Sequence, residues 1–188
     1  KVTVNIREID DQNFIVASGF DDTVANESTR KIQEQNQVLK IIQTLQSEFI
    51  SGADLKKQFI GFLDSLILYT KSAFGFIGEI VEEDGVPYLK THAITDISWS
   101  AETKKLYADM DKSGFEFRNL ETLFGVTIST GEVCISNDPK NDSRSGGTPH
   151  GHPPLTSYLG IPIKAKDRLI GMVGLANKKG GYDESLVD

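Results

Sequence analysis

An α+β fold built on an antiparallel sheet is what the sequence predicts, and three observations predict it. Apolar alternation of period two recurs in pairs of segments joined by short polar turns, Asp84-Gly85 and Lys164 to Arg168 among them. Other segments carry apolar residues at helical spacing. The third observation is a loop from Asn137 to Leu155, containing Ser145-Gly146-Gly147-Thr148-Pro149-His150-Gly151-His152-Pro153-Pro154, too rich in Gly and Pro for helix or strand. A loop that long inside a compact domain is usually a lid or a binding loop rather than a connector.

In chain order, Val2 to Ile9 alternates as a strand, Asp10 to Asn13 is turn chemistry, and Phe14 to Phe20 returns. An isolated hairpin is marginal in water, so these strands are expected to complete a sheet lying upstream of Lys1. The hairpin, the run Gly19-Phe20-Asp21-Asp22-Thr23 and the following Arg30-Lys31 resemble the last strands of a PAS domain and the Asp-x-Thr motif that leads out of it.

No Gly or Pro interrupts Asp22 to Ile50, and Val38, Ile42, Leu45 and Phe49 are spaced 4-3-4, the seam of a two-stranded coiled coil. The first half of this helix, Glu27 to Gln37, is almost wholly polar. It is either a long helix packed on its own domain or a parallel dimeric connector of roughly 40 Å at 1.5 Å per residue. A polar lead-in ending in a heptad seam favours the dimer.

Ser51-Gly52-Ala53 breaks the helix and Asp54 caps the next, whose Phe59, Phe62, Leu63, Leu66, Ile67 and Thr70 form a broad apolar face for a sheet. Ala73 to Glu82 and Val86 to Ile94 are strands around Asp84-Gly85. Trp99 falls in a turn. Ala101 to Met110 and Asn119 to Thr127 read as short helices, the second capped by Asn119. Val133 to Ser136 is a short strand entering the long loop; Tyr158 to Ile163 and Leu169 to Asn177 complete the sheet, and a last helix begins at Asp183.

Composition excludes several classes of function. Hydrophobic residues make up 38% and charged residues 25%, enough for an unstapled core. The formal charge is −7, with no basic cluster, which argues against nucleic acid and anionic membranes as partners. Cys134 is the single cysteine, so no internal disulfide forms, and a reducing cytoplasm is the simplest compartment. No apolar run approaches the roughly 20 residues that span a bilayer, and the N-terminus is no signal peptide.

The element order from Asp54 onward resembles that of a GAF domain, and specific residues agree. They are Ser72-Ala73-Phe74-Gly75-Phe76-Ile77-Gly78-Glu79, Leu123-Phe124-Gly125, Asn137-Asp138-Pro139, Gly151-His152-Pro153-Pro154-Leu155, Leu159-Gly160-Ile161-Pro162 and Ala176-Asn177-Lys178 followed by Gly180-Gly181-Tyr182-Asp183. They look like the GAF domains of bacterial multidomain signalling proteins: histidine kinases, hybrid response regulators and diguanylate cyclases. The resemblance implies a six-stranded antiparallel sheet with helices on both faces and a small-molecule pocket under the long loop.

Chemistry-bearing residues are few. Cys134, His150 and His152 have the donors for zinc, but the histidines sit among Gly and Pro without an acidic neighbour, so loop packing is the better account and no metal is expected. Some GAF relatives attach a tetrapyrrole through a cysteine, usually with histidine next to it; here Cys134 is followed by Ile135. Others reduce free methionine sulfoxide, which needs a second, resolving cysteine. No nucleophile elbow or Walker loop is present. Catalysis and a bound cofactor are therefore not expected. Asn177-Lys178 with Tyr182-Asp183-Glu184 is similar to the Asn-Lys, Phe, Asp-Glu pattern of cyclic-nucleotide-binding GAF domains, but contracted; an ion pair between Lys178 and Asp183 closing the last strand onto the next helix explains it better.

The candidate ligand contacts are Phe76, His92, Trp99, Phe124, Asp138, Arg144, His152 and Tyr158. Trp99 either walls a cavity or fills core, and Phe76, Phe124 and Tyr158 are residues more often found in core than against a ligand. Arg144, beside two glycines, either meets an anion or is a solvated loop charge. His92 faces either the pocket or solvent. The expected organisation is a PAS-exit hairpin over 1–21, a connecting helix over 22–50 and a GAF domain over 54–188 with its last helix truncated. The expected role is a cytoplasmic sensory module of a two-component-type protein. It would bind a small molecule, dimerise through Val38, Ile42, Leu45 and Phe49, and control an output domain of the same polypeptide. A ligand-free structural or dimerisation module is the alternative.

Overall fold

The structure, a computed structural model, describes residues 2–9, 12–19, 23–50, 54–96, 103–104, 115–148 and 152–187. The chain divides into two units, Lys1–Thr44 and Leu45–Asp188. In the first, β1 (Val2–Ile9) and β2 (Gln12–Gly19) pair antiparallel with Val2 opposite Gly19 and Ile9 opposite Gln12, the expected pair of strands, the second starting two residues earlier than expected. Helix α1 (Thr23–Ile50) spans the boundary between the units, uninterrupted as its lack of Gly and Pro requires. Val38 and Ile42 of its seam are exposed, as are Ile32 and Leu39. The side chains of Leu45 and Phe49 lie outside the described residues.

The second unit is a six-stranded antiparallel sheet in the order β5-β4-β3-β8-β7-β6, the fold class expected. Its strands are β3 (Phe74–Glu83), β4 (Val86–Ile94), β5 (Glu116–Phe117), β6 (Cys134–Ser136), β7 (Tyr158–Ala165) and β8 (Arg168–Ala176). Asp84 and Gly85 both take positive φ, 53° and 78°, the backbone that a two-residue hairpin loop needs for its twist to match the strands. Helix α2 (Leu55–Thr70) starts where Asp54 accepts the Lys56 N–H at 3.0 Å, the expected N-cap. It lays Phe59, Phe62, Leu63, Leu66 and Ile67 on one face of the sheet, against Ile77, Leu159, Val173 and Leu175.

Helix α3 (Leu123–Thr130) covers the other face. Its cap corrects the expectation at Asn119. Thr122 accepts the Gly125 N–H at 3.2 Å and starts the helix, whereas Asn119 accepts the Glu121 N–H at 3.0 Å in a turn upstream. Strand β5 was not anticipated. Phe115 and Phe117 alternate with Glu116 and Arg118, but the segment is too short to stand out before it pairs with Leu89 and Lys90. Of the helix expected over 101–110, only Thr103 and Lys104 are described; both are helical, and the rest lies outside the described residues. Where the last helix was expected there is a 3₁₀ turn, Glu184–Leu186, capped by Asp183.

Candidate functional site

Strand alternation builds the site. Registered pairs place Phe76, Gly174, Gly160 and Cys134 in one row across β3, β8, β7 and β6. The two central members carry no side chain. A Cβ at Gly174 would collide with the Phe76 ring, and one at Gly160 would lie 2.5 Å from Thr127 Oγ1 and 3.0 Å from the Tyr158 hydroxyl. The glycines thus let two aromatic rings lie over the sheet in place of standing off it. Beside these rings, under α3 and the long loop, is a cavity of about 270 Å³. Its floor is Phe76, Gly174 and Ala176; Phe117, Leu123, Phe124, Leu155 and His152 wall it.

The wall is largely aromatic. Phe76 meets Phe117 edge-on at 5.0 Å between centroids, and Phe117 meets Phe124 at 5.2 Å. No Asp, Glu, Lys or Arg lines the cavity among the described residues. Two lining hydroxyls, those of Thr122 and Thr95, are spent on the fold. Thr122 Oγ1 donates to the Asn119 carbonyl while accepting from Gly125, and Thr95 Oγ1 both donates to and accepts from the Gly75 backbone. Tyr158 is 5% exposed, and its hydroxyl has no hydrogen-bond partner among the described residues. Burial pushes its phenol well above the ordinary value, so it keeps its proton. His152 Nδ1 lies 2.7 Å from the Pro153 carbonyl. A carbonyl only accepts, so Nδ1 is the donor of this contact and Nε2 is the ring nitrogen left to accept.

Four of the eight expected contacts line this cavity: Phe76, Phe124, His152 and Tyr158. Trp99 lies outside the described residues, as does His150. Three are placed elsewhere. His92 is the extra residue of a bulge, between the pairs Ile77–Ala93 and Gly78–Thr91, and it stacks on Phe59 of α2 at 4.6 Å on the opposite face. Its Nε2 is 3.7 Å from Glu79 Oε1. Asp138 is exposed on the loop, accepting from Asn141 Nδ2 at 2.7 Å. Arg144 is an exposed loop charge that is paired within the loop. Its Nε and Nη2 grip Asp142 at 2.9 and 2.7 Å, and Nη2 also donates to the Ile135 carbonyl at 2.9 Å. That pairing holds the Asp142 carboxyl below the usual carboxylate range and leaves the guanidinium committed.

Missing from the expectation were Phe115, Phe117 and Leu155 in the wall, and the pins of the loop. Asn137 accepts the Tyr182 N–H at 2.8 Å and donates to its carbonyl at 2.9 Å. Asn177, with φ 59°, accepts from Thr156 N at 2.8 Å and donates to the Pro154 carbonyl at 2.8 Å. Both ends of the loop are thereby tied to the chain that follows β8. Lys178 Nζ donates to the Gly181 carbonyl at 2.9 Å, so it braces this turn through the backbone; toward Asp183 it acts as a nearby charge. Cys134 is fully buried at the end of the glycine row, and burial raises its thiol. It does not line the cavity, and it faces α3 and Tyr158.

A family model described as GAF domain matches residues 62–188. The GAF domain of an Acinetobacter phosphoenolpyruvate-protein phosphotransferase has a TM-score of 0.60 at 16% identity, over 82% of this chain and 84% of that one. The GAF domain of A. aeolicus nlh2 in an inactive state has 0.55 at 18%, over 84% and 86%. A type II free methionine-R-sulfoxide reductase from Thermoplasma acidophilum has 0.50 at 18%, over 71% and 85%. These identities speak for the fold alone. No curated protein matches the chain.

Proposed function

Since the chain belongs to the GAF family, we propose that it is a sensory and regulatory module that binds a small molecule and transmits the binding state to an output domain beyond this sequence. The observation that carries this reading is the cavity of about 270 Å³ between the glycine row, α3 and the loop. A ligand that fits one arrangement of α3 and the loop better than another shifts the population of the two, by no more than its difference in affinity for them. Native against denaturing mass spectrometry of the purified chain tests it. A small molecule released at up to one per chain is the expected result; a bare mass, with no added compound binding, leaves the ligand-free structural module.

The setting is a proposal of the same kind: a two-component-type signalling protein of the cytoplasm, its hairpin the exit of a PAS domain, with α1 as a dimeric connector. Exposed Val38 and Ile42 on α1, four residues apart, support the connector. Ile42→Asp is expected to shift the chain from dimer to monomer in sedimentation while leaving its melting temperature within about 2 °C, since the residue is 44% exposed. An unchanged dimer would discard the seam. A catalytic role is not proposed. Free methionine sulfoxide reduction would lack a resolving partner for the lone, buried Cys134.

A further inference from the structure

The wall of the cavity restricts what it can hold. A carboxylate or phosphate entering it would shed its hydration with no lining cation among the described residues to replace it, and a ligand cation would find no carboxylate among those residues. Size narrows the class further. A cavity of about 150 Å³ takes one benzene ring, so 270 Å³ suits two fused rings. Phe76, Phe117 and Phe124 offer faces and edges at 5.0–5.2 Å spacing, the geometry in which another aromatic ring packs favourably. One polar feature of the wall is directional. His152 lines the cavity with Nδ1 committed to the Pro153 carbonyl, so Nε2 is the ring nitrogen left to accept.

Granted the ligand-binding reading above, we propose that the ligand is an uncharged aromatic molecule of two fused rings bearing an N–H donor, seated against Phe76, Phe117 and Phe124 with that donor accepted by Nε2 of His152.

Indole is the probe, with 1-methylindole as the same bicycle lacking the donor and cyclic GMP as a charged competitor, each titrated into the full 188-residue chain and followed by amide NMR shifts at Gly174 and Gly160. Indole is expected to bind about tenfold more tightly than 1-methylindole, the factor of one buried hydrogen bond. His152→Phe is expected to erase that difference while leaving 1-methylindole bound, which also shows that the variant is folded. Equal binding of the two indoles to the unaltered chain overturns the donor assignment. Tight binding of cyclic GMP with none of indole overturns the ligand class. Xenon separates these failures from failure of the cavity itself. If xenon shifts the Gly174 amide and no indole binds, only the aromatic class falls; if xenon shifts nothing there, the ligand-binding reading falls with it.

Discussion

The two faces of the large sheet are made by the same strands and do opposite things. Toward α2, β7 and β8 present Leu159, Val173 and Leu175, all under 5% exposed and packed on Leu63 and Ile77. One residue along, the same strands turn Gly160 and Gly174 toward α3, and there the packing leaves a cavity. Strand alternation therefore separates the residues that hold the fold from those that shape the site, with a spacing of one residue. Mutations on adjacent positions should then have different consequences.

The largest effect is expected on the filled face. Leu159→Ala removes a fully buried side chain from a close-packed cluster and is expected to cost about 2–5 kcal/mol, read as a fall in the thermal midpoint. A loss below about 1 kcal/mol would mean that this face relaxes as readily as the other, and the contrast would fail.

Next is Gly174→Ala on the open face. The added methyl has to displace the Phe76 ring, and the cavity is the nearest space to receive it. The expected cost is about 1–3 kcal/mol, smaller than on the filled face, but with loss of ligand or xenon binding. Leu159→Ala, in contrast, should weaken stability while leaving the affinity of the folded fraction unchanged. If Gly174→Ala binds as the unaltered chain does, Phe76 has another place to go and the glycine row is not what shapes the site.

The filled face was the more legible in the sequence for a physical reason. Leu63, Leu66 and Ile67 repeat at helical spacing, and Leu159, Ile161 and Ile163 alternate, so periodicity alone identifies a face that is to be covered. A cavity is made by what is missing, and a glycine in a strand does not say which ring will lie over it. Phe76, Phe124, His152 and Tyr158 were reachable through the motifs they stand in. Phe117 depended on a two-residue strand, and His92 was turned to the α2 side by a bulge that no local pattern announces. Arg144 looked available as an anion contact because its partner Asp142 is two residues away, a pairing set by loop geometry and not by period.

That loop pair gives the smallest and most selective test of the contrast. Among the described residues, the buried members of the cluster under α2 are aliphatic apart from Tyr182, with Phe59 and Phe62 packed against them, whereas the loop beside the cavity is fastened by a carboxylate. Asp142 has its folded pKa lowered, chiefly by the Arg144 hydrogen bonds, relative to about 3.9 in an unfolded chain. The stability it contributes is therefore complete above that unfolded value and is lost as the pH falls below about 4 toward the folded one. Arg144 is 43% exposed, so solvent screens the pair and the contribution is below about 1 kcal/mol. Acidification should reduce amide protection first at Ile135 to Ser145, where Arg144 also holds the Ile135 carbonyl, while Leu159 and Val173 keep theirs. Asp142→Asn should show weaker loop protection already at neutral pH and a flatter response below pH 4. A loop that loosens in step with the α2 face, in both proteins, would mean that the two faces unfold as one unit despite their different packing.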